Sequence, residues 1–329
     1  MLKTGKLNWE LMSNILSVLP VNDIDVIMGP AIGEDAAVIR VRDGFLVVHS
    51  DPITTGVRRA GYLSVHVAGN DIAVRGVKPK WFLPVVLLPS WFSEAEIMEF
   101  FNDMSRALKE VEGVVIGGHT EITPSISRPI VSMTAAGYTT SRIIFTRDAK
   151  VGDLVYVIGR IGGEGVGVIA WDFETVLIEK NTSREVIEKA KTYIYDVSVI
   201  KTALEIKDYV NAMHDATEGG VLQALREIAI ASNTKIIVHR ENLSLDETVE
   251  VIAKTVNVDP LKLLSSGCIV ATVPKSNKKE FESALENLGK PYSLIGQVEY
   301  GCGEVVVKSG TIVELIKEDI IDEIYKLWS

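Results

Sequence analysis

The stretch Gly61–Val74, GYLSVHVAGNDIAV, restricts the fold more than any other part of this 329-residue chain. Leu63, Val65, Val67, Ile72 and Val74 are spread round the circumference of a helix and leave no wide polar face. A helix that is apolar nearly all round is a buried one. Asn70 and Asp71 stand in the middle of it. A carboxylate in a low-dielectric interior is costly unless it is paired, hydrogen-bonded or bound to a cation. Asp71 therefore needs a partner, which could be an internal helix cap, Arg75 one turn further on, or a cation.

Around this helix the chain alternates strand and helix patterns. Segments rich in β-branched and bulky apolar residues predict strands at Ala36–Val41, Gly44–Ser50, Trp81–Leu88, Val114–Gly118 and Ile130–Thr139. Ser93–Glu110 opens with SEAE, a capping-box pattern, and predicts a second helix. At this length two domains are expected, and the charged turn and fresh apolar strand of DAKVGDLVYVIG place the boundary so that they span residues 1–148 and 149–329. The second half predicts a glycine cluster, a long helix near Ser183–Tyr209, a strand at NAMHD, a helix at Gly220–Ala231 and a strand at KIIVH. Helix, strand, helix, two strands and a last amphipathic helix over Val313–Trp328 follow. The fold class is mixed α/β, or α+β with largely antiparallel sheets.

Composition removes several kinds of partner. With 34 basic and 44 acidic residues the net charge is -10, which repels a phosphate backbone, so nucleic acid is not an expected partner. The longest apolar run, Trp81–Phe92, is too short to span a bilayer and holds two prolines, so neither is a membrane. The N-terminal stretch carries an acid and asparagine where a signal peptide needs unbroken apolar residues, so a cytoplasmic location is expected. Cys268 and Cys302 share no metal-ligand spacing with any histidine; the first reads as a small core residue, the second as part of a flexible turn. Scarce glutamine beside plentiful Ile, Val, Lys and Glu points to a thermophilic source.

Acids recur at strand ends and on glycine turns. Gly33-Glu34-Asp35 precedes a strand, His49-Ser50-Asp51 ends the next, and His214-Asp215-Ala216-Thr217-Glu218-Gly219-Gly220 ends another and runs into a helix. Taken singly, each could be a cap or a turn former. Together with Asp71 they suggest a carboxylate cluster that holds Mg²⁺ against phosphates, since magnesium takes oxygen ligands. Gly117-Gly118-His119-Thr120-Glu121 and the run Gly159 to Gly167, which includes Gly162 and Gly163, offer backbone amides that can bind anions. His66 and His214 read as structural partners of Asn70 and Asp215.

Four motifs in this order, Glu34-Asp35-Ala36-Ala37, Asn70-Asp71-Ile72-Ala73 with Gly76, Gly117-Gly118 with Thr120, and Asp215 with Gly219-Gly220, resemble the aminoimidazole ribonucleotide synthetase-like ATP-binding proteins. That superfamily includes the purine enzyme, thiamine-monophosphate kinase, selenophosphate synthetase and the hydrogenase maturation protein HypE. The resemblance implies a two-domain fold: an N-terminal domain that pairs with its twin into a β-barrel-like homodimer, and a C-terminal α/β domain. It implies ATP and Mg²⁺ in the cleft, with Asp35, Asp51, Asp71 and Asp215 as metal and phosphate acids. Asn70, Gly117, Gly118, Thr120, Gly162 and Gly163 would then flank the nucleotide.

VGDLVYVIGRIGGEGVGVIA and HDATEGGVLQALREIAIASN are most similar to HypE. HypE ends in a cysteine that carries the carbamoyl group, whereas this chain ends in Ser329. Glu121 stands where HypE has lysine, His119 where the kinases have Asp, and Ser265-Ser266 where HypE has an acid before glycine. The expected activity is ATP-dependent phosphorylation or activation of an oxygen on a separate small-molecule or protein acceptor, with His119 and Glu121 beside it. For His119 the alternative is a turn residue bonded to a neighbouring carbonyl. A nucleotide-binding scaffold dimer without turnover, and a HypE role without self-cyanylation, are the alternatives for the whole chain.

Overall fold

The computed structural model describes residues 7, 9–21 and 23–328, so the start of the N-terminal stretch and the chain-end reading at Ser329 lie outside it. One seven-stranded sheet is built from β1 (Val26–Met28), β2 (Ala37–Val41), β3 (Gly44–Ile53), β4 (Trp81–Pro89), β5 (Val114–Val115), β6 (His119–Thr123) and β7 (Ile130–Thr139). Helices α1 (Trp9–Ser17), α2 (Ala60–Ala73) and α3 (Glu94–Glu110) belong to the same half of the chain. The strand order is β1-β2-β3-β7-β4-β5, with β6 also paired to β4. All its ladders are antiparallel except those of β4 with β5 and β6.

The second half contains β8 (Leu154–Ile158), α4 (Gly163–Asp172), α5 (Glu174–Glu179), α6 (Arg184–Thr192), α7 (Ile200–Ile206), β9 (Ala212–Ala216) and α8 (Gly220–Ala231). β10 (Thr234–His239), α9 (Glu247–Val256), β11 (Ser265–Val273), α10 (Lys278–Leu288), β12 (Tyr292–Tyr300), β13 (Glu304–Ser309) and β14 (Ile312–Ile316) complete it. Its seven strands run in the order β14-β13-β10-β12-β8-β11-β9, and within this sheet the described ladders are antiparallel except that of β10 with β13. The antiparallel bias expected from the sequence is present in both sheets.

The all-round apolar helix is α2, and every residue from Ala60 to Ala73 is buried. It packs on β3 and β7 on one side and on α3 on another, and it touches α7 and β9 of the second half. Gly61 permits the α3 contact, because a Cβ there would lie 2.3 Å from the Phe100 carbonyl oxygen. α3 begins at the expected capping box: Ser93 accepts from the Glu96 amide while the Glu96 carboxylate accepts from the Ser93 amide.

Three expected elements differ. The helix near Ser183–Tyr209 is broken by a 3-10 turn at Tyr193–Asp196 into two separate helices, α6 and α7. Val313–Trp328 is not a helix: β14 pairs with β13, and a short 3-10 turn follows at Glu323–Leu327. Its alternation of apolar residues suited a two-residue period as well as a helical one. The predicted strand Val114–Gly118 is paired only over Val114–Val115. Gly118 has φ +142 and sits so close to β4 that a Cβ would be 2.4 Å from the Pro84 carbonyl oxygen, at a residue that has no N–H to continue a ladder.

Candidate active site

Strand alternation builds the first wall of the site. Val47, His49, Asp51 and Ile53 share one face of β3; Val47 and Ile53 are buried, and the row turns polar at His49 and Asp51 beneath α2. Ser50, on the opposite face, bonds instead to Ser132 and Thr134 of β7. α2 presents Asp71 to the row, and the His49 Nε2 is 3.6 Å from an Asp71 carboxylate oxygen. One ligand atom from each of His49, Asp51 and Asp71 falls within 4.8 Å of the others.

The second wall comes from β9, α8 and α4. Asp35, His214 and Asp215 form another triad with ligand atoms within 4.8 Å. His214 Nδ1 donates to the Asp215 carbonyl oxygen at 2.7 Å, and its Nε2 is 2.9 Å from Glu227 and 3.1 Å from Asp35. Burial alone would lower the His214 pKa, but the carboxylates of Asp35 and Glu227 override it and raise it to about 9. Asp215 is 1% exposed, and neither of its carboxylate oxygens has a hydrogen-bond partner. Burial, followed by the charge of Asp35, pushes its pKa up to about 8.

Arg75 does not pair with Asp71. Its fully buried guanidinium donates to Glu34 and Asp35 at 2.7 Å each, to the Thr146 hydroxyl at 2.9 Å and to the Met213 carbonyl at 2.7 Å. The salt-bridge reading of Asp71 with Arg75 is therefore corrected, because the longer reach to Glu34 and Asp35 gives the cation two carboxylates. Asp35 is already balanced by Arg75 and His214.

These walls enclose a cavity of about 470 Å³, within the usual size range of small-molecule sites, about 300–1,000 Å³. Nine carboxylate side chains line it, with no Lys or Arg among the described residues. Three of the lining groups were missed in the sequence. Glu164 on α4 accepts from the Ser266 amide and hydroxyl, at 3.0 and 2.6 Å, and burial raises its pKa. Its signal was available, since it is the one acid in the apolar run Gly162–Ala170. His49 was passed over as the neighbour of Asp51. Asp322 accepts from the Gly219 amide at 2.8 Å, and burial raises its pKa to about 7; no local pattern marks it.

Several expected ligand residues lie elsewhere. Asn70 is fully buried: its side-chain NH₂ donates to the Val197 and Ser266 carbonyls, and its oxygen accepts from the Val199 amide. Every polar group it could offer a nucleotide is occupied by the second half of the chain. Gly162 and Gly163 are also buried, with their amides donated to the Ser265 hydroxyl and the Arg160 carbonyl. Gly117, Gly118, His119, Thr120 and Glu121 are exposed. The register places Gly118 beside Pro84, Pro84 beside Met133 and Met133 beside Asp51. That is three strand spacings, about 14 Å, from the acids. His119 and Glu121 pair with each other at 3.3 Å outside the cavity of their own chain. His66 bonds to Glu110 at 3.1 Å rather than to Asn70.

Residues 33–139 match the AIR synthase related protein N-terminal domain, and residues 150–309 match its C-terminal domain. The chain belongs to the AIR synthase related family. A Methanocaldococcus jannaschii relative named for hydrogenase expression and formation is 28% identical over 326 residues, covering 95% of this chain and 92% of that one. The HypE–HypF complex superposes with TM-score 0.78 at 20% identity, over 94% of this chain and 100% of the other. A ThiL complexed with AMPPCP and TMP gives 0.72 at 22%, over 92% and 93%. These likenesses show the two-domain AIR synthase related fold that the motifs implied. No helix of the described residues is long and apolar enough to cross a membrane.

Proposed function

We propose that the carboxylate cavity binds ATP through divalent cations and that the chain uses it to phosphorylate or activate an oxygen of a separate acceptor. One observation carries this reading: nine carboxylates and no described Lys or Arg line the cavity, and beside Asp35 of that wall lies the buried Asp215, whose carboxylate oxygens have no hydrogen-bond partner. Such a wall repels a nucleotide's phosphates unless cations bridge them, and Mg²⁺ coordinated by carboxylate and phosphate oxygens meets that requirement. Asp51, Asp71 and Asp215 would hold the cation, and Asp35 would support them. When bound, Mg²⁺ neutralises charge developing on the transferred phosphoryl group. The chain's own residues fix the carboxylates: β3 sets Asp51, α2 sets Asp71, and the Arg75 network fixes Glu34 and Asp35. Relatives that include a ThiL complexed with AMPPCP and thiamine-monophosphate kinases support the nucleotide half.

A role in hydrogenase formation on a separate carrier is a second reading, favoured by the name of the M. jannaschii relative. His119 and Glu121 could serve either reading as acceptor-side groups only if a second copy of the chain brings its exposed edge to this cavity. The test is calorimetric titration with a non-hydrolysable ATP analogue, with and without Mg²⁺. Binding should require Mg²⁺ and weaken at least tenfold in Asp71→Asn; equal binding in the absence of Mg²⁺ would sink the reading. A phosphate-release screen then identifies the acceptor.

A further inference from the structure

We infer that His49 supplies a nitrogen ligand to the cation held by Asp51 and Asp71, so that this site takes a divalent transition cation such as Mn²⁺, which accepts imidazole nitrogen more readily than Mg²⁺ does, in preference to Mg²⁺. The inference rests on the cavity being a cation and nucleotide site, and it concerns the residue that sets which cation. Two histidines face the acids, and their surroundings separate them. His214 is fully enclosed, with Nδ1 engaged by the Asp215 carbonyl and Nε2 between Asp35 and Glu227. It serves as a countercharge. His49 keeps a side-chain exposure of 28% and lines the cavity, with Nε2 toward Asp71.

The β-strand period puts His49 and Asp51 on one face, while α2 brings Asp71 against them, so a single ion can meet all three ligand atoms. Asp215 gives an independent sign that a cation belongs here. It is buried without a hydrogen-bond partner on either carboxylate oxygen, and a ligand atom of it lies within 4.8 Å of Asp35, which lines the same cavity as Asp51 and Asp71. Mg²⁺ is a hard ion that favours oxygen and keeps its waters. Neutral imidazole is a common ligand of transition metals. A triad of one imidazole and two carboxylates therefore favours the softer ion, where three carboxylates would not.

The experiment uses the full chain loaded with Mn²⁺ alone and examines it by pulsed electron paramagnetic resonance and calorimetry. ¹⁴N modulation from a directly bound imidazole is expected on the Mn²⁺ signal and should vanish in His49→Gln. The same variant should lose about tenfold or more in Mn²⁺ affinity, a typical loss for a removed metal-site partner, while its Mg²⁺ affinity changes less than about twofold. A melting curve of the variant without cation checks that it folds. Bound Mn²⁺ with no ¹⁴N modulation, or with modulation unchanged in His49→Gln, overturns the role of His49 but leaves the cation site standing. Absence of any Mn²⁺ or Mg²⁺ binding overturns both.

Discussion

Asp215 illustrates how one buried side chain reports a missing charge. It ends a strand, takes no hydrogen bond on its carboxylate oxygens, and has its pKa raised to about 8 by burial first and then by Asp35. Above about pH 8, where Asp215 ionises, removing its charge should relieve the cation-free fold. Asp215→Asn is predicted to melt higher than the parent without divalent ions and to lose the rise that Mg²⁺ gives the parent, as read by scanning calorimetry. An unchanged Mg²⁺-induced rise would show that Asp215 is not a ligand. Asp215, Asp51, Asp71 and Asp35 were legible in the sequence because each broke an apolar pattern or ended one. His49 and Asp322 were not, because a histidine two residues before an acid and an aspartate in a polar tail look like ordinary surface chemistry. Asn70 was misread for a related reason: a polar residue in a buried helix reveals that it has partners but not whether they are ligand or chain.

At the scale of elements, α2 and the strands around it act through paired charges. Arg75 at the end of α2 holds Glu34 and Asp35, both nearly buried. Arg75→Met would strip both of their guanidinium, leaving Asp35 only His214 as a cationic partner and Glu34 none among the described residues, and a loss of about 3–5 kcal/mol is expected in urea unfolding. A loss below about 1 kcal/mol would mean that Thr146 and the Arg147 amide suffice for Glu34. The His214 and Asp215 pair at the end of β9 sets a pH limit. His214 holds a proton in the fold up to about 9 against an ordinary 6.5, so its stabilisation is full below about 6.5 and is lost as pH rises through 9. Asp215 resists ionisation up to about 8, so the fold also loses stability as pH rises toward that value. Cation-free protein is therefore expected to lose melting temperature steadily from pH 6.5 to 9. The stabilisation given by Mg²⁺ should grow over the same window, since the ion binds ionised Asp215. A flat profile would contradict both assignments. Helix and strand patterns were readable wherever one period dominated, as in α2, α3 and β7; they failed at β14, where two periods fitted, and at Gly117–Gly118, where Gly118 serves close packing against Pro84.

At the scale of the whole molecule, the β4, β5 and β6 edge of the first sheet exposes Val85, Val114, Val115, Ile116 and Ile122. An apolar edge of this extent marks an interaction surface. A second copy of the chain is the proposed occupant, consistent with the homodimer expected from the motifs. Sedimentation should give a dimer, and Ile116→Asp should shift it toward monomer without lowering the monomer's own unfolding midpoint; a monomeric parent would dismiss the pairing. Within one chain the two halves are joined otherwise. The single side-chain amide of Asn70 is tied to three backbone groups of the other half, at Val197, Val199 and Ser266, and is fully buried. Such a bolt is expected to hold the two halves at a fixed angle, which would leave access to the cavity to the segments at its rim. The Val199 amide should accordingly exchange its hydrogen only when the entire molecule unfolds.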